Sequence, residues 1–579
     1  MIEGKTSGLK ASQINALERI YRRKLPAGEL ITDELARYLT ELSHELQRQL
    51  GVIIDRSGAV KHVIVGDDRE IVIPDLSGYS LGRSGLRGLR CIHTHLKQDP
   101  LSRDDLTDLE LLRLDLMAVI GVRSDGLPGS FEYAHLLPAT SAKSIEQVQL
   151  KDFYRLDLDF GPFIRALDQE LERSAAETID LSDGRERALL VSVGTGNRQN
   201  LEDSLAELDE LARTANVVVI DKVIQRPRQL NPRFLVGEGK LKEIIIRALQ
   251  QRATLLVFDQ DLSPNQVRSI SAITEMKVID RSQLILDIFA RRAQSRDGKV
   301  QVELAQLKYI MPRLSGKGTA MSRLMGGIGG RGPGETKLEI DRRRTRQKIR
   351  RLEDQLKSLG KGRLQRRQKR IRAGLPIVSI VGYTNAGKST LLNALTQSEV
   401  LTEDLLFATL DTATRRLRFP LDREVIITDT VGFIRDLPPS LIGAFKATLE
   451  ELEDADLLLH LVDLSNPRFI EQIASVEKIL AELDLDKRQR LLVFNKVDKV
   501  PAEDLPHLCR RYGAVAVSAL KRDSFGPLLQ EMEQRFWPDG EEWEKQQPEE
   551  EGAALEDYGA VPEDPDEEFA DEEDDSDWS

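Results

Sequence analysis

The stretch IVSIVGYTNAGKST, residues 377–390, decides the fold of the larger part of this chain. Its first five residues predict a buried strand, and a glycine-containing turn then leads into the helical pattern TLLNAL. Gly382–Ser389 has the spacing of a phosphate-binding loop, whose backbone N–H groups and following helix point toward phosphate oxygens. Lys388 is expected to reach the β- and γ-phosphates, and Ser389 is expected to ligate Mg²⁺.

Three further motifs follow, each at the end of a predicted strand. Asp429-Thr-Val-Gly432 predicts a carboxylate that holds Mg²⁺ through water and an amide beside the γ-phosphate. In Asn495-Lys-Val-Asp498, the aspartate is expected to accept two hydrogen bonds from guanine, a donor pair that adenine lacks. Ser518-Ala-Leu520 is expected to contact the guanine oxygen through its backbone. The motifs together predict a site for GTP rather than ATP, in an enzyme that hydrolyses it.

The two switch segments, which respond to the γ-phosphate, contain one residue that is typical of GTPases and one that is not. Thr409, in FATLD at 407–411, stands where a switch-I threonine closes over the metal. Phe433 stands where Ras-like switches carry the glutamine that orients the attacking water, so slow intrinsic hydrolysis, accelerated by a partner, is expected. Asn385 is typical of GTPases that use K⁺, but it equally suits a residue that only stabilises the loop.

Alternation of short apolar runs with helical patterns predicts a multidomain α/β protein with mostly parallel sheets. We divide the chain into an N-terminal extension with mixed helices and strands (1–185), a small α/β domain (186–290), a basic helical hairpin with a glycine-rich loop at 315–335 (291–375), a P-loop GTPase or G domain (376–540), and an acidic tail (541–579).

Charge is distributed unevenly along the 579 residues. The net charge is −13, but the tail holds 19 acidic residues against one lysine, so the first 540 residues carry +5. The tail is expected to be disordered, either as a solubilising segment or as a mimic of nucleic acid that folds back on the basic hairpin. Residues 341–375 contain fifteen Lys/Arg and three acids, which indicates RNA binding or a solvated helix pair.

Composition narrows the class of protein further. Cys91 and Cys509 are the only cysteines, so neither a disulfide framework nor a cysteine-based zinc site is indicated. No apolar run reaches the roughly 20 residues that a membrane-spanning helix needs. A cytoplasmic, monomeric protein without a membrane span is expected.

The order of these motifs resembles the HflX family of translation GTPases, within the Obg–HflX group. The stretches that carry the resemblance are NPRFLVGEGKLKEI (231–244), VELAQLKYIMPRL (302–314), GGIGGRGPGETKLE (326–339), GYTNAGKSTLLNALT (382–396), LFATLDTATRR (406–416) and DTVGFIRDLP (429–438). The resemblance implies a GTPase that binds the large ribosomal subunit and splits stalled or idle ribosomes.

The resemblance also implies a residue set. It assigns Mg²⁺ to Ser389 and Thr409, and catalysis to Lys388 and Thr409. It assigns the nucleotide contacts to Gly382, Tyr383, Thr384, Asn385, Ala386, Gly387, Lys388, Ser389, Phe407, Ala408, Thr409, Leu410, Asp411, Asp429, Thr430, Val431, Gly432, Asn495, Lys496, Val497, Asp498, Ser518, Ala519 and Leu520.

The extension contains RCIHTHLKQDPLSRDDL, residues 90–106, which resembles the metal motif of JAB/MPN proteins. It offers His93, His95 and Asp105 as zinc ligands, with Glu45 where a general base is sought. Its spacing is one residue short and Leu96 replaces a common proline, so an inactive scaffold, a zinc site and a chance likeness all stay open. Besides a ribosome-splitting GTPase, the alternatives are an RNA-binding or ribosome-assembly switch and a GTP-regulated zinc hydrolase.

Overall fold

The computed structural model describes residues 2–138, 140–141, 143–178, 185–313, 337–372, 374–396, 406–407, 413–419, 423–430, 432–435 and 452–538. The predicted glycine-rich loop, most of switch I including Thr409, and the acidic tail lie outside these ranges. Among the helices within them, none has the length and apolar character to span a membrane.

The extension forms one mixed sheet of seven strands in the order β1-β3-β2-β4-β5-β6-β7. Its hairpin β2–β3 turns at Ser57–Gly58, and Gly58 has a φ of +84°. The strands are β1 (Glu3–Gly4), β2 (Leu50–Asp55), β3 (Val60–Val65), β4 (Leu89–His95), β5 (Leu116–Val122), β6 (Pro128–Leu136) and β7 (Ile145–Leu150). The helices are α1 (Ala11–Glu18), α2 (Asp33–Leu46), α3 (Arg103–Leu112) and α4 (Phe160–Thr178).

The small domain is a parallel sheet of four strands in the order β11-β10-β8-β9. The four strands are β8 (Arg187–Val193), β9 (Val218–Gln225), β10 (Leu255–Phe258) and β11 (Lys277–Asp280). The helices are α5 (Arg198–Thr214), α6 (Glu238–Gln250), α7 (Pro264–Ser271) and α8 (Arg281–Arg292). Because every strand is parallel, their carboxyl ends lie along one edge of the domain.

Two long helices follow, α9 (Arg296–Ile310) and α10 (Lys337–Arg372). They pack through a small buried cluster that includes Leu304, Ile349 and Leu352. Lys308 and Glu353 form an ion pair of 2.7 Å across the helix pair. The two predicted long helices are therefore present, and the basic α10 leads into the G domain. The ion pairs Lys308–Glu353 and Lys348–Glu303 advance in the same direction along both helices, so α9 and α10 run parallel and not as an antiparallel hairpin.

The described residues of the G domain form six strands in the order β13-β14-β12-β15-β16-β17, and among these only the edge pair β13–β14 is antiparallel. These are β12 (Ile377–Gly382), β13 (Ala413–Arg418), β14 (Glu424–Asp429), β15 (Leu457–Asp463), β16 (Arg490–Asn495) and β17 (Ala514–Ala516). The helices are α11 (Lys388–Thr396), α12 (Phe469–Glu482), α13 (Leu505–Tyr512) and α14 (Gly526–Phe536). The multidomain α/β prediction is confirmed.

Candidate nucleotide-binding site

The phosphate loop turns sharply between β12 and α11. Gly387 has a φ of +92°, and a Cβ on it would lie 2.4 Å from Asn495 Nδ2, so a glycine is required there. Asn385, also left-handed at φ +60°, is a residue type that tolerates this conformation. The Lys388 ammonium donates to the carbonyls of Tyr383 (3.0 Å) and Gly382 (3.3 Å). The loop is thus folded around the lysine as the motif predicts.

Burial of Lys388 changes its acid–base behaviour. The side chain is 7% exposed, and desolvation lowers its pKa to about 8, with Asp429 opposing the shift. Phosphate oxygens would stabilise the ammonium form, because a nearby negative charge favours it. The lysine therefore lies where an anionic ligand would compensate its remaining desolvation.

Ser389 and Asp429 supply oxygen donors beside the loop. The Ser389 hydroxyl donates to Asp429 Oδ2 at 2.5 Å, and Asp429 is fully buried at the end of β14. A hydroxyl and a carboxylate this close suit a hard cation such as Mg²⁺, which usually keeps several water ligands as well. Bound Mg²⁺ would neutralise charge on the β- and γ-phosphates, and these two residues would hold it.

The predicted guanine-binding motifs are joined to the loop. Asn495 Nδ2 donates to the Ala386 carbonyl at 2.8 Å, and Asn495 Oδ1 accepts from the Ala519 N–H at 2.9 Å. The Lys496 ammonium donates to the Asn385 carbonyl at 2.9 Å and pairs with Asp463 at 2.8 Å. These bonds fix the base end and the phosphate end of the site relative to each other.

Asp498, the residue predicted to recognise guanine, is hydrogen-bonded to Ser518. Its Oδ1 accepts a hydrogen bond of 2.6 Å from the Ser518 hydroxyl, and this bond is the largest cause of a lowered pKa of the carboxyl group. The carboxylate is exposed at the mouth of the site, as is Leu520. Asp498 is therefore ionised and accessible to an incoming base.

The switch segments are described only in part. Ala408, Thr409, Leu410, Asp411 and Val431 lie outside the described ranges, so their assignment stays a prediction. Phe407 is buried and packs edge-on against Phe289 of α8, with 4.6 Å between ring centroids. Phe433 is also buried, in a cluster that combines the switch segments with α5 and α8. The described residues of both switches thus pack against the small domain.

Two small-domain residues that contact this site were not predicted from the sequence. Glu207 of α5 accepts a hydrogen bond from the Tyr383 hydroxyl, and Arg281 of α8 donates to the Arg435 carbonyl. A charged residue placed directly after a predicted strand, as Arg281 is after MKVID, was the available signal. Glu207 gave none, because its helix contains several acidic residues.

A second cluster lies in the extension, where β4 and the first turn of α3 meet. His93 Nε2 lies 3.1 Å from His95 Nε2, and 3.4 Å from Asp105 Oδ1; His95 Nε2 lies 3.7 Å from Asp105 Oδ2. One ligand atom from each of the three residues lies within 4.8 Å of the others, close enough for all three to reach one metal ion. The structure therefore brings together all three residues that the sequence singles out.

Protonation in this cluster suits a metal. His95 Nδ1 lies 2.9 Å from the Asp99 carbonyl, which can only accept, so Nδ1 carries the proton and Nε2 keeps its lone pair. Burial lowers the pKa of His95. Burial also opposes ionisation of Asp105, but the hydrogen bond with His93 holds the pKa of the Asp105 carboxyl well below its usual range. Glu45 is exposed on α2 and bonded to Gln13, outside the cluster.

Comparison with known proteins gives matches along most of the chain. Family models described as GTP-binding GTPase N-terminal, GTP-binding GTPase Middle Region and 50S ribosome-binding GTPase match residues 202–290, 292–370 and 377–496. A GTPase HflX from Caldanaerobacter subterraneus subsp. tengcongensis is 46% identical over 362 residues, which cover 62% of this chain and 83% of that protein. The GTPase HflX of Escherichia coli is 46% identical over 319 residues, covering 55% and 75%.

Among solved structures, a GTP-binding protein from the archaeon Sulfolobus solfataricus in complex with GDP is 25% identical. The match covers 60% of this chain and 99% of that one, with a TM-score of 0.35.

Proposed function

Because the chain belongs to the HflX family of GTPases, we propose that it binds the large ribosomal subunit and splits stalled or idle ribosomes at the expense of GTP. The chain hydrolyses GTP, and Lys388, Ser389, Asp429, Gly432 and Asp498 are the residues we assign to that reaction. The family model that matches residues 377–496 is described as a 50S ribosome-binding GTPase, which supports the choice of subunit.

The observation that carries the ribosomal assignment is the basic helix α10. Its described side chains leave Arg344, Arg346, Arg350 and Arg351 exposed, while Ile349 and Leu352 pack against α9. One face is therefore anchored to protein and the other presents cations to solvent. Such a face neutralises phosphates and releases counterions on binding RNA.

The position of α10 connects RNA binding to nucleotide state. The helix ends at Arg372 and β12 begins at Ile377, so only a short link separates it from the strand that leads into the phosphate loop. A change in the loop that moves β12 is transmitted to the helix. The alternative is that α9 and α10 are only a solvated, charged helix pair, which requires no contact with RNA.

Charge reversal on α10 tests the RNA contact. Replacing Arg346 and Arg350 with glutamate is expected to weaken binding to the large subunit at least about tenfold at low salt, and to flatten the salt dependence, because phosphate contacts are lost. Binding is measured by sedimentation with purified subunits. Arg83→Glu with Arg103→Glu makes the same charge change in the extension and is expected to leave binding intact.

Gradient sedimentation of whole ribosomes decides between the two ribosomal functions. With GTP or a nonhydrolysable analogue, the splitting function predicts conversion of whole ribosomes into subunits, and GDP does not support it. Subunit binding without conversion would indicate the assembly switch instead. No association with the large subunit in any nucleotide state would defeat both.

Replacing K⁺ by Na⁺ in the GTPase assay tests potassium assistance at Asn385.

We also propose that His93, His95 and Asp105 bind a divalent metal, Zn²⁺ being the best match for two imidazoles and a carboxylate. Purified protein is expected to contain close to one zinc per chain by elemental analysis, and His93→Ala with His95→Ala is expected to abolish it. His62→Ala changes another partly buried histidine of the extension and serves as the control. Zinc retained by the double variant, or absent from the wild type even after added zinc, contradicts the site.

A hydrolase at that metal is not favoured. Glu45, the residue expected to act as general base, is exposed and bonds to Gln13 rather than pointing into the cluster. GTP hydrolysis by the double histidine variant is expected to equal that of the wild type.

A further inference from the structure

The carboxyl edge of the small-domain sheet faces the second switch. Asp259 follows β10 and Arg281 follows β11, and the Arg281 Nη1 donates to Asp259 Oδ1 at 3.1 Å. Arg281 Nη2 donates to Glu207 Oε2 at 2.7 Å. Arg281 is 6% exposed, so the domain maintains a buried arginine between two carboxylates. A buried charge network of this kind holds its members in one geometry.

This network holds the backbone of Arg435, which follows Phe433 in switch II. The Arg435 N–H donates to the Tyr383 hydroxyl at 2.7 Å, and the Arg435 carbonyl accepts from Arg281 Nη2 at 3.2 Å. The Tyr383 hydroxyl in turn donates to Glu207 Oε1 at 2.5 Å. Tyr383 belongs to the phosphate loop, so one hydroxyl joins the loop, switch II and the small domain.

Switch II is also hydrogen-bonded directly to the backbone of the phosphate loop. The Phe433 N–H donates to the Gly382 carbonyl at 3.1 Å, and the Thr384 N–H donates to the Phe433 carbonyl at 2.7 Å. A Cβ built on Gly432 would lie 2.9 Å from Lys388 Nζ and 2.7 Å from Thr384 Cγ2. The backbone of Gly432 therefore sits directly against the lysine.

A γ-phosphate competes with this arrangement for the space beside Lys388. It is expected to accept hydrogen bonds of about 2.8 Å from Lys388 Nζ and from the Gly432 amide, so its oxygens need room between the lysine and the backbone of switch II. A Cβ on Gly432, one bond out from the backbone, would already lie 2.9 Å from Lys388 Nζ, so little room is left there. Switch II must move away from the loop before GTP, but not GDP, is fully accommodated.

We propose that Tyr383 is a positioning residue that locks switch II over the γ-phosphate position, with Glu207 and Arg281 as the fixed side of the lock. The lock lowers affinity for GTP relative to GDP until a movement of the small domain releases it. The alternative is that the same contacts only stabilise the fold, in which case both nucleotides would respond alike.

Removal of the Tyr383 hydroxyl destabilises only the closed state, in which switch II packs on the phosphate loop. In that state the Arg435 N–H and Glu207 Oε1 lose a partner in a part-buried setting, which costs free energy. After switch II retracts, water replaces the hydroxyl. A polar cavity of about 380 Å³ beside Tyr383, lined by Glu207, Asn385 and Arg468 among others, already adjoins these groups.

The test compares Tyr383→Phe with the wild-type full-length chain. We expect the Kd for a nonhydrolysable GTP analogue to fall about tenfold while the Kd for GDP changes less than about twofold, because a net cost near that of one or two hydrogen bonds applies only to the closed state. Both constants are measured by fluorescence with labelled nucleotides. Tyr38→Phe, which removes a single hydroxyl bond in the extension, is the matched control.

Glu207→Gln is the second variant, since it keeps the shape of the side chain and removes its charge. It is expected to shift the GTP-to-GDP affinity ratio in the same direction, and the double variant to shift it by less than the product of the two single effects, because the residues act as one unit. A ratio equal to wild type in Tyr383→Phe, a fall in both affinities, or independent effects in the double variant would overturn the lock.

Discussion

Replacing Asp498 with asparagine is expected to change the preferred nucleotide from GTP to XTP. The carboxylate accepts from two guanine donors, and an amide offers only one acceptor to them. Loss of one charge-assisted bond and a new donor-to-donor conflict weaken GTP binding by roughly two orders of magnitude or more. Xanthine presents a carbonyl in place of the guanine amine, so the amide N–H₂ finds an acceptor there.

The surrounding structure favours this exchange. The Ser518 hydroxyl, which donates to Asp498 Oδ1 at 2.6 Å, would hold the amide oxygen at that place and leave the N–H₂ at the other. Titrations with labelled GTP and XTP measure the change. Asp484→Asn alters an exposed acid already in left-handed conformation and is expected to change neither affinity. Retained preference for GTP in the Asp498 variant would show that the base is read elsewhere.

Lys388→Met is expected to separate stability from function. Nucleotide affinity falls at least about hundredfold, because a charge-assisted contact to the phosphates is lost. The nucleotide-free variant is nevertheless expected to be at least as stable as the wild type, since methionine fills a similar volume without the cost of burying a charge. Thermal unfolding and nucleotide titration measure the two effects.

The pH dependence of that difference has a definite sign. Lys388 has a pKa of about 8 in the folded chain against an ordinary value of 10.5, so the unfolded chain binds the proton more tightly. The stability advantage of Lys388→Met is therefore full below pH 8 and declines as pH rises from 8 toward 10.5. Lys478→Met, at an exposed position, is the control. A wild type more stable than the Lys388 variant at pH 7 would contradict the buried-charge argument.

Much of the G domain could be predicted because its signals are local. The apolar runs that give β12, β14, β15, β16 and β17 are short, and all except β15 lead into a functional motif. Strand β13 was missed, since ATRRLR reads as a charged segment and its strand character comes from antiparallel pairing with β14 at the sheet edge. Edge strands of this kind depend on a neighbour rather than on their own apolar content.

The contacts between domains were not predictable in the same way. Glu207 and Tyr383 are 176 residues apart, and no local pattern in either segment indicates the other. The His93–His95–Asp105 cluster was found because its residues lie within 13 positions and the strand-to-helix turn brings them together. Slow intrinsic hydrolysis from Phe433 stays a prediction.

The parallel sheet of the small domain uses its carboxyl edge in an unusual manner. In open α/β sheets that edge ordinarily receives a small molecule. Here it receives a length of the chain's own backbone at Arg435, which behaves as a tethered ligand. Tethering gives such a ligand an effective concentration on the order of millimolar, so contacts too weak to hold a free peptide suffice. Any molecule that occupies the edge must therefore outcompete an intramolecular rival, and success would free the switch without touching the nucleotide.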